Sequence, residues 1–387
     1  MQFPGSQRFW QLCSLIHQSN WAFSNNNPVL PIKNFWDFKQ LSKALVPQNF
    51  ITGLLLKSTM FDLLSLCGLS KDERLIKFLN LQLKLYSQED VFNTAALYGS
   101  TVLQISQQPH GLWHLKKSMQ ALSKSLEVSL QKTGANIMFS HKVNSINFDK
   151  AKSCWKVFAN FKNKNLEYLA DDIVYTLPPQ SLLNHLDESS DSRKNFKKRL
   201  RKLPKPSGAV VFYSALKKEH IAKTSSNHYQ ILSGKLGSIF VSISEDNDGR
   251  APKDEITLIA SIFVKTEEWF ALEKYEYLKK KKDYLQKISF ALEKQFSIGS
   301  EDWLHRELAT PLGFERWTNR PNGMVGGLGQ NPEIFGLFGL SSRTPFKGLW
   351  LCGDSIYPGE GTAGVSQSAI MVSRQILASK GINNFNL

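Results

Sequence analysis

The 387-residue sequence is poor in cysteine, and its four cysteines have no regular spacing. Cys13, Cys67, Cys154 and Cys352 form neither a Cys-x-x-Cys pair nor a paired pattern along the chain. We therefore expect reduced thiols in a cytosolic setting rather than a zinc site or a disulfide framework. Outside the string 110–119, no paired-carboxylate, Ser-His-Asp or His-x-x-x-His pattern stands out. No metal is predicted, and no catalytic side chain is identified.

The sequence also lacks a long apolar run. Its first residues show no basic region followed by an apolar stretch, so no secretory signal is expected. The most apolar N-terminal segment, 51–69, contains Lys57 and Asp62, whose charges are costly at bilayer depth, so no transmembrane helix is expected. This segment fits an amphipathic helix pair that touches a membrane surface or walls an apolar tunnel, and it equally fits burial in the core.

Acidic residues are too few to balance the basic ones, and the formal net charge is +15. Basic residues cluster at 193–205 and at 279–282. Such clusters hold anionic lipid headgroups at roughly 1 kcal/mol per basic residue near the surface. No zinc-finger spacing, RNP motif or helix-turn-helix pattern accompanies the charge, which disfavours nucleic acid as a partner. We expect peripheral contact with lipid at the cytoplasmic face of a membrane, and for 279–282 a solvated helix face is preferred.

The most informative stretch lies near the C-terminus, from 348 to 376. Leu349 to Cys352 is a short apolar run, which Gly353 and Asp354 interrupt. A loop rich in glycine follows, and then apolar residues recur at helical spacing, at Val365, Ala369, Val372 and Ile376. This pattern predicts a strand, a glycine-rich loop and a helix whose N-terminus stabilises an anionic or electron-rich group.

The string Gly-Asp-Ser-x-x-Pro-Gly-Glu-Gly-Thr-Ala-Gly-Val-Ser that starts at Gly353 closely resembles the C-terminal flavin motif of the phytoene desaturase and carotenoid isomerase family of FAD enzymes. Within that family it looks most like the cyanobacterial carotenoid C-3′,4′ desaturase branch. The resemblance implies that Asp354 hydrogen-bonds the ribityl or pyrophosphate part of FAD and that 361–365 lies against the isoalloxazine ring. The FAD-binding residues that it implies here are Gly353, Asp354, Gly361, Thr362, Ala363, Gly364 and Val365.

A second string, 110–119, is similar to the Gly-Gly-Met-x-x-Leu unit of the family. Where the family commonly has glycine, this chain has Lys117, which adopts a positive φ less cheaply. The resemblance implies that the backbone of Val143 holds the adenine ring.

The residues after that string predict a helix without reference to the family. Gly134 is placed as its C-terminal cap, and Ile137 with Phe139 predicts the start of a strand. The apolar face of the helix consists of Met119, Leu122, Leu126 and Leu130. Burial of this helix and strand in a core fits the same residues.

The resemblance implies an α/β (α+β) fold of the FAD/NAD(P)-binding, amine-oxidase-like type, with a mixed or antiparallel sheet in the substrate domain. The expected parts are a helical part of the substrate domain at 1–108, an adenine-side FAD portion at 109–180, a substrate-binding sheet domain at 181–310 and a C-terminal FAD-binding portion at 311–387. Alternating or apolar runs predict strands at 155–161, 173–177, 209–213, 239–244 and 256–264.

Such a fold should open with a strand, a Gly-x-Gly-x-x-Gly turn and a helix, and the N-terminal part of this sequence contains no such string. The expectation is therefore a chain truncated at its N-terminus.

By resemblance the expected activity is FAD-dependent desaturation of a carotenoid, a long apolar polyene. The alternative within the same chemistry is cis-trans isomerisation of a carotenoid by reduced FAD. A third possibility is a truncated, non-catalytic, membrane-associated relic. The residues leave these alternatives open.

Overall fold

The computed structural model describes residues 3–107, 113, 115–186, 193–205, 207–221, 226–234, 236–245 and 248–382. The chain divides into two compact units. The first unit comprises 1–111, 139–206 and 326–387, and the second comprises 112–138 and 207–325.

The first unit opens with helices that pack around a leucine-rich core. In α5, Leu75, Leu79 and Leu83 are fully buried at the i, i+4 spacing of one helix face. Burial of each such side chain stabilises the fold by about 1.5–3 kcal/mol. The helices are α1 (Gln7–Asn25), α2 (Phe35–Ala44), α3 (Gln48–Thr52), α4 (Met60–Leu66), α5 (Glu73–Ser87) and α6 (Ala96–Ile105).

Side chains at the helix N-termini fix where these helices begin. The Asn34 side chain accepts a hydrogen bond from the Asp37 N–H before α2. Thr59 and Asp62 form a capping box at α4, with the Asp62 carboxylate accepting from the Thr59 N–H at 2.7 Å. The charged Asp62 therefore lies at a helix start, while Met60, Leu63 and Leu64 of the same segment are buried in the core.

The rest of the first unit combines two small sheets with helices. β1 (Lys142–Asp149), β2 (Cys154–Phe161) and β3 (Lys164–Ala170) form an antiparallel meander. β4 (Ile173–Tyr175) pairs in parallel with β10 (Leu349–Leu351). The helices of this part are α8 (Leu182–His185), α9 (Lys194–Arg201) and α13 (Thr362–Ser379).

The second unit is built on a five-stranded antiparallel sheet in the order β6-β7-β8-β5-β9. Side chains alternate between buried and partly exposed along β8, and Ile288, Leu292 and Phe296 of α11 join the buried face in one core. The strands are β5 (Gly208–Lys217), β6 (His228–Ser233), β7 (Gly237–Ile243), β8 (Glu255–Val264) and β9 (Trp303–Ala309). The helices are α7 (Gln120–Lys132), α10 (Glu267–Phe270), α11 (Lys274–Phe296) and α12 (Pro311–Thr318).

The structure corrects the predicted start of one strand. Residues 137–139 are not extended in a sheet, and β1 begins only at Lys142, because residues 139–140 form a turn in which Ser140 has φ +60°. The helix before it, α7, forms as predicted, but none of its residues is buried. Its apolar face does not lie in a core within the second unit.

Lys117, for which the sequence analysis expected a costly positive φ, has one. Its φ is +73°, and its N–H donates to the Asp248 carbonyl. The turn is thus kept despite the side chain. Residues 110–112 and 114 of the same string lie outside the described residues, as do 246 and 247 before Asp248.

Within the described ranges, no helix is both long and apolar enough to cross a bilayer. The four cysteines are free. Across the same part of the chain, no three His, Cys, Asp or Glu side chains gather so as to hold a metal ion.

Candidate active site

The candidate site begins where the parallel strands of the first unit end. All three residues of β10 are buried, and the Cys352 N–H donates to the Tyr175 carbonyl at 3.0 Å, which carries the pairing one residue beyond the strand. Gly353 and Asp354 then lie at the carboxyl ends of β4 and β10. Ligands of open α/β sheets characteristically bind at this edge.

Hydrogen bonds from α13 and within the loop hold the glycine-rich segment in place. The Gly353 N–H donates to the Oγ of Ser368, a fully buried residue of α13, at 3.1 Å. The Ile356 N–H donates to the Gly353 carbonyl, and Ile356 itself is buried. Desolvation raises the pKa of the Cys352 thiol, which packs 3.7 Å from the same Ser368 hydroxyl. The loop is therefore a fixed part of the unit.

Two glycines shape the start of α13. Gly361 has φ +87°, a conformation that residues with a side chain rarely adopt, and the space beside its Cα is open. A Cβ on Gly364 would collide with the Gly359 carbonyl oxygen, so the first turn packs directly on the loop backbone. The helix has no side-chain cap at its N-terminus. Its first-turn N–H groups and positive dipole end are thus suited to an anionic or electron-rich group.

A cavity of about 510 Å³ adjoins this helix start within the first unit. Its volume lies in the range of small-molecule pockets, roughly 300–1,000 Å³. Its wall is mainly apolar and comes from α1, α2, the 49–56 segment, α6, the 335–337 segment and the glycine-rich loop. Ala363 and Gly364, in the first turn of α13, contribute directly to it.

Polar side chains in the cavity wall form hydrogen bonds with other wall residues. The Asn20 amide donates to the Leu97 carbonyl at 2.8 Å and to the Thr101 hydroxyl at 3.0 Å. The Gln367 amide donates to the Asn27 side-chain oxygen at 3.1 Å. These bonds satisfy polar groups that would otherwise bind water, so the cavity surface suits an apolar ligand.

Glu360 supplies the carboxyl group of the cavity wall. Its Oε2 accepts from the Gln88 amide at 2.8 Å and from the Gly327 N–H at 3.2 Å. Burial, and in second place the charge of Glu360, raises the pKa of Tyr98 far above the ordinary value for a phenol. The Tyr98 hydroxyl donates to the Tyr86 carbonyl at 2.8 Å and stays neutral. Burial also raises the pKa of Tyr357, another wall residue, to about 12.

The structure brings together some of the residues predicted to bind FAD. Ala363 and Gly364 line the cavity, whereas Thr362 and Val365 flank them in the same helical turn. Gly353, Asp354 and Gly361 belong to the loop that leads into this turn. Val143 lies near the start of β1, half-exposed, and does not line the cavity. The roles assigned to these residues remain predictions.

The sequence analysis missed the side chains that close the site from the N-terminal half. Gln88, Tyr98 and Asn20 carry no local motif, and only long-range packing places them at the cavity or beside Glu360. One signal was available: the apolar segment 51–69 was expected to wall a tunnel or to be buried, and its first residues do contribute to the cavity wall.

No family model matches the chain. Among curated proteins, it is 26% identical to a chloroplastic prolycopene isomerase of Arabidopsis thaliana over 325 residues, which cover 81% of this chain and 53% of that protein. It is 25% identical to the chloroplastic prolycopene isomerase of Daucus carota, over 81% of this chain and 51% of that protein. The chain is thus similar in sequence to prolycopene isomerases. It spans about half the length of these curated relatives.

Solved structures give the fold. A putrescine oxidase variant matches 98% of this chain with a TM-score of 0.59 at 14% identity and is itself covered over 77%. Cyclohexylamine oxidase from Brevibacterium oxydans matches 97% of this chain with a TM-score of 0.55 at 13% identity, with 75% of that structure covered. An oxidoreductase from Methanosarcina mazei matches 88% of this chain with a TM-score of 0.57 at 15% identity, with 75% of that structure covered.

These likenesses confirm the predicted amine-oxidase-like fold. It is the fold for which the resemblance implied FAD as the cofactor.

Proposed function

We propose that this chain forms part of a FAD-dependent oxidoreductase that acts on a carotenoid. The observation that carries the proposal is the apolar cavity of about 510 Å³ whose wall includes Ala363 and Gly364 at the start of α13. A long polyene offers no hydrogen-bonding groups along its length and needs such a wall. A flavin ring needs close backbone approach and a positive helix end, which the same turn offers.

The residues present fit FAD. In this proposal Gly353, Asp354 and the 361–365 turn hold the flavin portion, and Val143 holds the adenine through its backbone. The uncapped first turn of α13 and the open space beside Gly361 support this assignment. When bound, FAD supplies a two-electron acceptor or donor. The protein orients the polyene, excludes water from the site and provides a group for proton transfer.

We assign proton transfer to Glu360. Desaturation removes two hydrogen atoms from neighbouring carbons and forms a C=C bond, so one proton needs an acceptor in the protein. Glu360 is the carboxyl of the cavity wall, and Gln88 and Gly327 fix its position. Tyr98 beside it is a poor proton acceptor, because its raised pKa keeps the phenol neutral and its hydroxyl already donates to the Tyr86 carbonyl.

Carotenoid desaturation is the primary candidate, on the amino-acid sequence of the loop from Glu360 to Val365. Isomerisation is the second candidate, because the curated relatives are named prolycopene isomerases. In either case we propose a peripheral location on a membrane, which the basic helix α9 supports.

Product analysis tests the proposal and separates its two forms. The chain is incubated with FAD, mild detergent and a set of carotenoids, and the pigments are extracted and analysed by chromatography and mass spectrometry. Loss of two hydrogen atoms from the substrate identifies desaturation. An unchanged mass with a shifted retention time and spectrum, dependent on reduced FAD, identifies isomerisation. Unchanged pigments, together with no retained flavin, support the non-catalytic relic.

A further inference from the structure

The segment from Gln48 to Lys57 faces the cavity on one side and carries large apolar residues on another. Asn49, Thr52, Gly53 and Leu56 line the cavity, at the i, i+3, i+4, i+7 spacing of one helix face. Of the residues between them, Leu55 packs against the helical core, whereas Phe50, Ile51 and Leu54 are large, apolar and directed outward.

These outward side chains are among the most exposed apolar groups of the first unit. The relative exposures are 74% for Phe50, 74% for Ile51 and 84% for Leu54. A surface helix facing water normally carries polar residues at such positions. Three large apolar side chains together on one short segment mark a surface that contacts another apolar phase.

Basic groups border this segment. Lys57 is its last residue, and the Lys57 ammonium lies 5.4 Å from the centre of the Phe338 ring. The Arg199 guanidinium donates to the Phe338 carbonyl at 3.1 Å and to the Gly339 carbonyl at 2.7 Å. Phe338 directly follows the 335–337 segment of the cavity wall, so the exposed apolar residues and α9 meet at one edge of the cavity.

Helix α9 is basic along its exposed side. Leu200 is buried and anchors the helix in the core, whereas Lys194, Lys198, Arg201 and Lys202 are exposed. Among the residues that the structure describes, none of these four forms an ion pair with an acidic group. The helix therefore presents uncompensated positive charge to an anionic surface.

We propose that residues 48–57 dip into the surface of an anionic lipid bilayer, with α9 resting on the headgroups, so that an apolar ligand passes from lipid into the cavity. The proposal rests on the proposed function for the apolar ligand, and it assigns residues to the peripheral membrane location proposed there. Docking through Phe50, Ile51 and Leu54 combines apolar insertion with headgroup attraction, the two contributions that hold interfacial helices on membranes. The same segment is one wall of the cavity, so the route from lipid to cavity is short.

Vesicle flotation of the whole chain tests the apolar contribution. Phosphatidylcholine vesicles with and without phosphatidylglycerol are compared, and the variant replaces Phe50, Ile51 and Leu54 together by Ser. Binding to the anionic vesicles is expected to weaken by at least about tenfold. Because all three side chains are exposed, the unfolding midpoint should not fall.

A matched triple in the same unit is the control. Phe92→Ser, Leu66→Ser and Leu169→Ser also remove one exposed Phe and two exposed aliphatic residues. This control is expected to bind vesicles as the parent does. Equal loss in both triples, or no binding of the parent to either vesicle, would overturn the proposal.

Charge reversal tests the basic contribution. Lys198→Glu on α9 combined with Lys202→Glu, directly after that helix, should weaken binding at low salt by about tenfold or more. The difference should shrink as salt is raised. Lys279→Glu with Lys282→Glu, also exposed, is the matched pair on α11 and should leave binding unchanged. Equal effects of the two pairs would contradict the docking orientation.

Sedimentation of the same variants tests the alternative occupant of the surface formed by Phe50, Ile51 and Leu54, which is a second copy of the chain. A dimer that the Ser triple converts to monomer, with vesicle binding unchanged, would assign the surface to self-association and overturn the proposal. The vesicle assays need neither FAD nor polyene, so a failure of docking removes the proposed membrane location but leaves the proposed carotenoid chemistry standing. Docking without polyene binding in detergent would instead refute the proposed function.

Discussion

Gln88 and Glu360, 272 positions apart in the sequence, are joined by a hydrogen bond of 2.8 Å from the amide of one to the carboxyl of the other. Gln88 is the residue directly after α5 and has φ +60°. Glu360 belongs to the glycine-rich loop before α13. The bond thus fixes the loop against the helical part of the first unit and places a carboxyl group in the cavity wall.

Replacing Glu360 by Gln tests its role in proton transfer. The amide keeps the size of the side chain and can still accept from Gln88, but it cannot take a proton. Carotenoid turnover should fall by about 100-fold or more, with polyene binding retained. Glu89→Gln, a half-buried carboxyl outside the cavity wall, is the control and should leave turnover unchanged. Full turnover of the Glu360→Gln variant would remove this residue from the mechanism.

Replacing Gln88 by Ala tests the contribution of the hydrogen bond to stability. The variant loses a donor to a carboxyl group, so the free energy of unfolding should fall by about 1–3 kcal/mol in urea titrations. Gln11→Ala, on the exposed side of α1, should change it by less than about 0.5 kcal/mol. Equal effects of the two substitutions would show that the bond contributes nothing.

The close packing of α13 on the loop predicts opposite results for two helical glycines. In Gly364→Ala the new methyl group meets the Gly359 carbonyl, and we expect a loss of about 1–3 kcal/mol together with weaker flavin retention. In Gly313→Ala, in α12, the methyl group has open space, and the higher helix propensity of Ala should stabilise by about 0.5–1 kcal/mol. Unfolding titrations measure both, and a neutral Gly364→Ala would contradict the packing.

Lys117 stores strain that glycine would relieve. A left-handed conformation costs a residue with a side chain roughly 1–2 kcal/mol, and the greater chain entropy of unfolded glycine cancels about half of that gain. Lys117→Gly should therefore raise the free energy of unfolding by about 0.5–1 kcal/mol in unfolding titrations. Lys116→Gly, exposed and without a positive φ, should destabilise slightly. A destabilised Lys117→Gly variant would argue against the positive φ.

Asp248 predicts a pH dependence of stability. Burial tends to raise the pKa of its carboxyl, but hydrogen bonds from the N–H and guanidinium of Arg250 and from the Glu245 N–H outweigh it and lower that pKa. The unfolded state then binds more protons than the folded state at acid pH. The stabilisation is complete above the ordinary pKa of Asp and is lost as the pH falls through the lowered folded value.

Asp248→Asn should remove that dependence. At neutral pH we expect a loss of about 2–3 kcal/mol, which shrinks as the pH is lowered below the ordinary Asp range. Asp254→Asn in the same loop is the control, because Asp254 is exposed and Asn tolerates its φ of +66°. Unfolding titrations across acid and neutral pH measure both, and a constant difference across pH would contradict the assignment.

Local patterns predicted much of the fold. The apolar run at 349–352 became β10, and the helical spacing after Gly361 became α13, because each pattern spans one element and is decided by neighbouring residues. The strands at 155–161 and 256–264 were confirmed for the same reason. The helical pattern of α7 predicted the helix but not its exposure, since burial depends on distant segments.

The candidate site was only half predictable. Its loop and helix start form one contiguous string, whereas the opposing wall comes from segments hundreds of positions earlier. Gln88 and Tyr98 reach the site through the packing of α5 and α6, and nothing in their local sequence marks them. The strand start expected at Ile137 was wrong because a single left-handed residue, Ser140, turned the chain.

Titration of a polyene into the whole chain in mild detergent tests the central claim, that the cavity beside α13 is a carotenoid site. The parent and Ser366→Trp, which alters an exposed residue of α13 outside the cavity wall, should both give saturable binding with a shifted polyene spectrum. Ala363→Trp, also exposed but lining the cavity, should abolish it. Absence of saturable binding by the parent, or equal binding by the two Trp variants, would contradict the account.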